Sequence, residues 1–428
     1  MSQADLVQRF GLWPRHKLVL QAKDIAAYDW AVVESLNDSR PGWARPRVLF
    51  RFCDIDPCHY CLPEGFDPRC ESAEVAPIRR ALWNDVFSQV QHHFTLQQLT
   101  SLYVVFVRDN STFSVTRWDR SGVVVTELVD FADQPDSLSD LFWHMSMLTD
   151  AELGFDPTAT PVLPGSSDYA LMDQVSQPRE DDIDIKGGTV VEGDVTDPTR
   201  SFHFVRMAFR RMLTSSSQFA GGHPRWKLSV PVHDGQPHEF LVCAPLKYDK
   251  GEVFDWRNTR GYLAVDCQTL GFVFLKDTWR ESGTQINGQS EGACLAMLNK
   301  AGVRHVPTLL CHADLHDTIT PLYHNRDDRE GPEWRRHYRV VVREFCLPLP
   351  GTANGRQFVS AVRDCISGKL LSLCHRSSIC SHLQSHEYST QGCSHIGRDL
   401  AWRSLHRQSN DCPESTGAAK FRKAHCPI

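Results

Sequence analysis

The stretch Phe272-Val273-Phe274-Leu275-Lys276-Asp277-Thr278-Trp279-Arg280, with Glu-Gly-Ala-Cys-Leu-Ala-Met-Leu following at residues 291–298, decides how the chain is read. Phe272 to Leu275 is a short aromatic and branched run behind Gly271, which is strand composition. Lys276 is expected to end that strand. Ser290-Glu291 suits a helix start, because a serine hydroxyl can cap a free N–H and an acidic side chain complements the positive end of the helix dipole. Leu295 and Leu298 share one side of this helix, and Gly302 is placed to stop it. A lysine on the strand and a glutamate on the next helix can pair. A cation held in this way can grip phosphate oxygens, with the carboxylate fixing its rotamer. Alone, the two residues are better read as a solvated edge lysine and a glutamate on a helix dipole.

Working outward, strands are expected at Trp226–Val232, Phe240–Ala244 and Gly261–Asp266, the last forming a hairpin with Gly271–Leu275. Past the helix, Val303–Leu310 and His337–Phe345 read as strands, with a polar loop over His312–Arg336 between them. Gln357–Ile366 starts an amphipathic helix. In the first third, Trp83, Val86, Phe87, Val90 and Phe94 recur at helical spacing. Strands at Leu102–Val107, Phe113–Trp118 and Val123–Leu128 follow, with the turn Asp119-Arg120-Ser121-Gly122 between the last two. A helix with an aromatic face covers Leu138–Leu148. Residues 156–200 then turn rich in Pro, Gly, Ser and Asp. The fold class is α+β: a small α/β N-terminal region over residues 1–160, an acidic linker over 161–200, an antiparallel sheet with one helix over 201–366, and a disordered tail over 367–428.

The composition excludes several classes. With 46 Lys plus Arg against 52 Asp plus Glu, the formal charge is −6, which argues against a dedicated nucleic-acid binder. No apolar run approaches the ~18 residues of a membrane span, and the first twenty residues lack the apolar core of a signal peptide. Cytoplasm or nucleus is the expected location. An odd count of 15 Cys argues against a disulfide framework. Cys53, Cys58, Cys61 and Cys70 lie close together, and Cys58-x-x-Cys61 has zinc-knuckle spacing. Four reduced thiols in a loop is the plainer reading, because no second ligand pair follows. Asp119 and Arg120 read as turn residues, His312 and Asp314 as surface residues, and Trp226, Trp256 and Trp279 as packing residues.

The wider string resembles a known family. Residues 259–266 (TRGYLAVD), 272–280, 291–314 (EGACLAMLNKAGVRHVPTLLCHAD) and 337–351 (HYRVVVREFCLPLPG) are similar in content and order to fungal-type protein kinases. So are FTLQQLTSLYVVFV at 94–107, VTRWDRSGVVVTEL at 115–128 and LGFDPT at 153–158. The order strand, strand, Lys-bearing strand, Glu-bearing helix, strand, strand is that of a protein-kinase N-lobe. The resemblance implies ATP with Mg²⁺, phosphoryl transfer to a protein Ser or Thr, Lys276 as the phosphate-binding lysine and Glu291 as its helix partner. Glu344-Phe345-Cys346 would be the hinge whose backbone meets adenine. The turn Arg260-Gly261-Tyr262 would stand where a glycine-rich loop belongs, with Gly261 the one glycine there.

The family's catalytic loop and Mg²⁺-holding aspartate would follow Ile366, and no such string is found. His395-Ile396-Gly397-Arg398-Asp399 comes nearest, but Ser404 stands where the loop asparagine belongs. Residues 368–428 carry six His and many Ser with no periodicity, the content a retained intron or shifted frame would leave. Cys374-His375 and Cys393-x-His395 are close pairs, weak as a zinc signal. The expectation is therefore a kinase-family chain, truncated and inactive, with weak ATP binding by the lobe. The alternative is a non-catalytic protein-interaction module with a remnant kinase lobe and an unknown protein partner.

Overall fold

The computed structural model describes residues 16–20, 30–34, 46–53, 75–108, 111–120, 123–183, 200–214, 223–232, 235–248, 259–281, 290–321 and 334–346, with a few positions between 359 and 367. Their secondary structure is mixed, with two separate sheets and helices on both. The expected disordered tail, the close Cys/His pairs within it, Asp399, Trp256, Cys58, Cys61 and Cys70 all lie outside the described residues.

The first sheet runs β1 (His16–Leu20), β2 (Trp30–Glu34), β3 (Pro46–Cys53), β4 (Ser101–Arg108), β5 (Thr112–Asp119) and β6 (Val123–Val125), with β7 (Val129–Asp130) on β5. Its strands pair antiparallel except β3 and β4, which are parallel. A parallel pair needs a crossover, and helix α1 (Val75–Leu96) supplies it. Val86, Val90 and Phe94 of α1 bury against Val48, Phe50, Leu102, Val104 and Phe106 of the strands. Helix α2 (Ser137–Met147) adds Leu138, Phe142 and Met145 to the same core.

The second sheet has the order β14-β15-β13-β12-β10-β9-β8, with β11 (Lys247–Tyr248) on β12. These strands are β8 (Ala159–Pro161), β9 (Trp226–Val230), β10 (His238–Val242), β12 (Arg260–Asp266), β13 (Phe272–Glu281), β14 (Leu309–Pro321) and β15 (Trp334–Val342). All of its pairs are antiparallel. The sheet curls until β14 approaches β9, and Leu228, Val230, Phe240, Val242, Tyr262, Leu275 and Val341 fill the concave side. Its other face is covered twice. Helices α3 (Ser167–Val175) and α4 (His203–Thr214) bury Met172, Val205 and Phe209 on Leu241, Leu263 and Val265. Helix α5 (Glu291–Lys300) buries Leu295 on Tyr338, Val340 and Val342.

Three sequence expectations change here. Lys276 does not end its strand, because β13 continues to Glu281, so lysine stands mid-strand between β12 and β15. The stretch expected as a linker holds β8's last residue and helix α3, and its acidic end is anchored. Asp182 accepts both guanidinium arms of Arg206 (2.7 and 2.8 Å), and Arg206 also donates to the Val175 carbonyl. The polar segment after His312 extends β14 as far as Pro321, with register shifts that account for its irregular alternation.

Candidate functional site

Alternation along β13 sends Lys276 to the face carrying α5 and Asp277 to the concave side. Lys276 Nζ donates to Glu291 Oε2 at 2.6 Å, and each side chain keeps about a third of its surface (30% and 31%). Glu291 is placed by the start of α5. The Ser290 hydroxyl accepts the Ala293 N–H (3.2 Å), as the sequence predicts for an N-cap. The Tyr338 hydroxyl accepts the Gly292 N–H (2.8 Å), which ties the first turn to β15. Gly302, with φ of 67°, follows the end of α5.

The other predicted residues are placed as follows. Gly261 lies inside β12 opposite Lys276, a strand residue and not a turn. Its carbonyl accepts the Leu246 N–H (2.8 Å), and a Cβ there would press the Phe274 ring. The strand ladder thus uses this backbone, and the missing side chain makes room for Phe274. Glu344 is exposed, and its carboxylate accepts the Thr308 N–H (2.7 Å), pinning the segment after β15 to the start of β14. Phe345 packs with the α3–α4 cluster, its ring 6.5 Å from Phe204. Cys346 is exposed, with its thiol not in a disulfide.

On the concave side, Asp277 is the centre of a charge cluster that sequence reasoning missed. Its carboxylate accepts from Arg260 (3.0 Å), His337 (2.5 Å) and Arg339 (3.4 Å). Arg339 reaches on to Asp156 (2.5 Å), to the Thr158 hydroxyl (2.7 Å) and to the Ser229 carbonyl (3.0 Å). Every charged member is at most 3% exposed. Burial alone would raise the Asp277 carboxyl, but His337, Arg260 and Arg339 hold it well below the ordinary carboxylate range. Asp156 is likewise lowered against burial by Arg339, His337 and Thr158. The His337 ring stacks on Trp279 with centroids 4.8 Å apart.

This cluster joins the two sheets. Arg260 also donates to the carbonyls of Phe94 (3.5 Å) and Gln97 (3.3 Å) at the end of α1, where cations suit the helix dipole. Arg120 lies over the Phe94 ring and donates to the same Phe94 carbonyl (3.3 Å). Gln98 donates to the Tyr262 hydroxyl (3.1 Å). Arg120 thus stands at the bend after β5, as read, and its guanidinium shares the Phe94 carbonyl with Arg260. The available signal was the polar alternation itself: His337 and Arg339 sit two apart inside a branched run, and Asp277 sits inside an aromatic one.

His312 and Asp314 also serve the lobe. His312 lies under α5 at Gly292, and Asp314 pairs with Arg280 and Arg336. Trp226 and Trp279 are core residues, as read. Among the described residues no group of three or more His, Cys, Asp or Glu is arranged to hold a metal, and no helix is long and apolar enough to cross a membrane. One carboxylate, Glu291, stands at Lys276, and the ion pair already occupies it.

Residues 71–191 match a family model described as fungal protein kinase. That segment covers α1 to α3, including the Arg117–Gly122 motif, and it contains Phe94, Gln97, Gln98, Asp156 and Thr158 of the junction. Lys276 and Glu291 lie outside it. Neither the curated proteins nor the solved structures contain a match to this chain. Through residues 71–191 the chain is related to the fungal-type protein kinase family.

Proposed function

We propose that the second sheet with α5 is a protein-kinase-like lobe that binds ATP, with Lys276 holding the phosphates and Glu291 holding Lys276. The observation that carries this is the 2.6 Å Lys276–Glu291 pair, on a strand and the helix after it, left one-third open to solvent. The pair is ordered by the Ser290 cap and the Tyr338 hydroxyl, yet reachable by an anion. A triphosphate would bring negative charge to the open side of the ammonium while Glu291 keeps it aimed. The segment Glu344-Phe345-Cys346, fixed to Thr308, would present backbone groups to the base. Gly261 borders the lysine on β12 without contributing a phosphate cradle of its own.

The family's reaction is transfer of the γ-phosphoryl group to a protein hydroxyl. We propose that this polypeptide carries out little or none of it. Nothing in the sequence supplies a catalytic aspartate with an asparagine five residues on. A second reading, a non-catalytic interaction module, is favoured by Trp143 and Met147, which are 60% and 67% exposed one turn apart on α2.

Thermal unfolding with and without Mg-ATP separates these readings. A rise of several degrees in the wild type that disappears in Lys276→Met supports the nucleotide reading. A flat wild-type response removes it and leaves the interaction module.

A further inference from the structure

The depth at which α5 sits on the sheet is set by a contact that no sequence motif marks. Gly292 is buried one residue after Glu291, directly over the His312 side chain of β14. A Cβ built at position 292 would meet His312 Cβ, Cγ and Cδ2 closer than real side chains approach. Two of these atoms are the root of the imidazole, so the ring cannot swing away to relieve the overlap. On the other side of the turn, the Tyr338 hydroxyl holds the Gly292 N–H at 2.8 Å. Burial pushes the Tyr338 hydroxyl up to about 12, so it stays protonated and unchanged at any working pH.

We infer that Gly292, seated on His312 and held by the Tyr338 hydroxyl, is a positioning residue that fixes the height of α5 and so brings Glu291 within 2.6 Å of Lys276. A side chain at position 292 would lift the first turn off β14 and β15. Glu291 moves with that turn, and an ion pair this short does not survive a shift of an ångström or more unchanged. The helix is set by backbone approach, so its height is a fixed feature of the fold. In its effect on ATP the inference rests on the nucleotide reading above. In its effect on the ion pair it does not.

The test uses the full chain and two readouts. In the first, the coupling between Lys276→Met and Glu291→Gln is measured from urea midpoints as a double-mutant cycle. The two changes are expected to be non-additive in the wild-type background and additive in Gly292→Ala. They should be non-additive again in Gly292→Ala with His312→Gly, which removes all three obstructing atoms. Tyr338→Phe, which keeps the ring and deletes the acceptor, should weaken the coupling and decides the matter if Gly292→Ala does not fold. In the second, Mg-ATP affinity should fall about tenfold in Gly292→Ala, on the scale of losing one charge-assisted contact, and recover in the double variant. Coupling that is absent in the wild type, or unchanged in Gly292→Ala or Tyr338→Phe, would overturn the inference. If the coupling behaves as expected while the wild type gives no Mg-ATP response, the nucleotide reading fails and the positioning role stands.

Discussion

Lys276 and Asp277 are adjacent on one strand, and the alternation of β13 puts them in opposite electrostatic environments. Among the described residues Lys276 pairs with Glu291, and it keeps about a third of its side chain in water. Asp277 is 1% exposed and meets two guanidiniums and an imidazole. Water already solvates the first pair, so breaking it returns two ions to a medium that accepts them. The second set has no such refuge, because its stability depends on every member being present. The solvated charge is therefore the replaceable one, and the charge behind it ties the family-matched segment to strand β13.

The largest effect is expected from Arg339→Met. It removes the guanidinium between Asp156 and Asp277 and leaves two carboxylates buried with fewer partners. Loss of one partner from a buried ion cluster costs about 3–5 kcal/mol, and chemical denaturation would measure it. Asp156 belongs to the family-matched segment and Asp277 to the Lys276 strand. The two sheets should thus lose stability together, in one transition. Two well-separated transitions in the wild type would show that the cluster does not couple them.

The same cluster gives a pH signature. Both Asp277 and Asp156 are lowered from an ordinary value of 3.8. A carboxylate with a depressed folded value contributes stability that is complete above its unfolded value and is lost as pH falls through the folded one. The wild type should therefore keep its advantage over Asp277→Asn from neutral pH down to about 4, and lose it only in stronger acid. An advantage that disappears between pH 7 and 5 would mean that these carboxylates are not held low.

These contrasts also show how much was legible. The Lys276–Glu291 pair could be read because its signals are local: a branched run, a Ser-Glu helix start and a short separation. The cluster behind it could not. Asp277 finds its partners 17 and 62 residues away, and Arg339 finds Asp156 across 183. Within a sequence window the alternation of His337 and Arg339 is visible, but the partners that bury them are not. The same limit hid Asp182, which looks like solvated linker charge until Arg206 closes on it from α4. It also hid the length of β13, whose second half, KDTWRE, appears too polar for a strand until Arg260 takes up Asp277 on one face and Glu291 and Asp314 take up Lys276 and Arg280 on the other. Strand β3 was missed for another reason. Pro46, Arg47 and Arg51 interrupt the apolar pattern of β3, and its parallel partner β4 lies beyond helix α1.

A smaller effect is expected where the junction is neutral. Tyr262→Phe deletes the hydroxyl that accepts from Gln98 and leaves a buried amide N–H without it. An unsatisfied buried donor costs about 1–3 kcal/mol, whereas replacing both partners with apolar groups is nearly neutral. Adding Gln98→Met to Tyr262→Phe should therefore recover most of the loss in a denaturation midpoint. If the double variant is worse than the single, the amide has a second role at the junction.

The smallest effect on stability, and the largest on ligand response, is expected at Lys276. Half-exposed ion pairs contribute about 1 kcal/mol or less, because water replaces much of what the partner gave. Lys276→Met also keeps an unbranched side chain beside Phe274, so the strand and the cluster behind it should be undisturbed. Its unfolding midpoint should lie close to wild type, while the rise with Mg-ATP disappears. Asp277→Asn should show the reverse, a large stability loss with a ligand response that persists wherever the protein remains folded. If Lys276→Met instead destabilised the fold as much as Asp277→Asn, the two faces of β13 would not divide the work between ligand and structure. The lysine would then be one more structural charge.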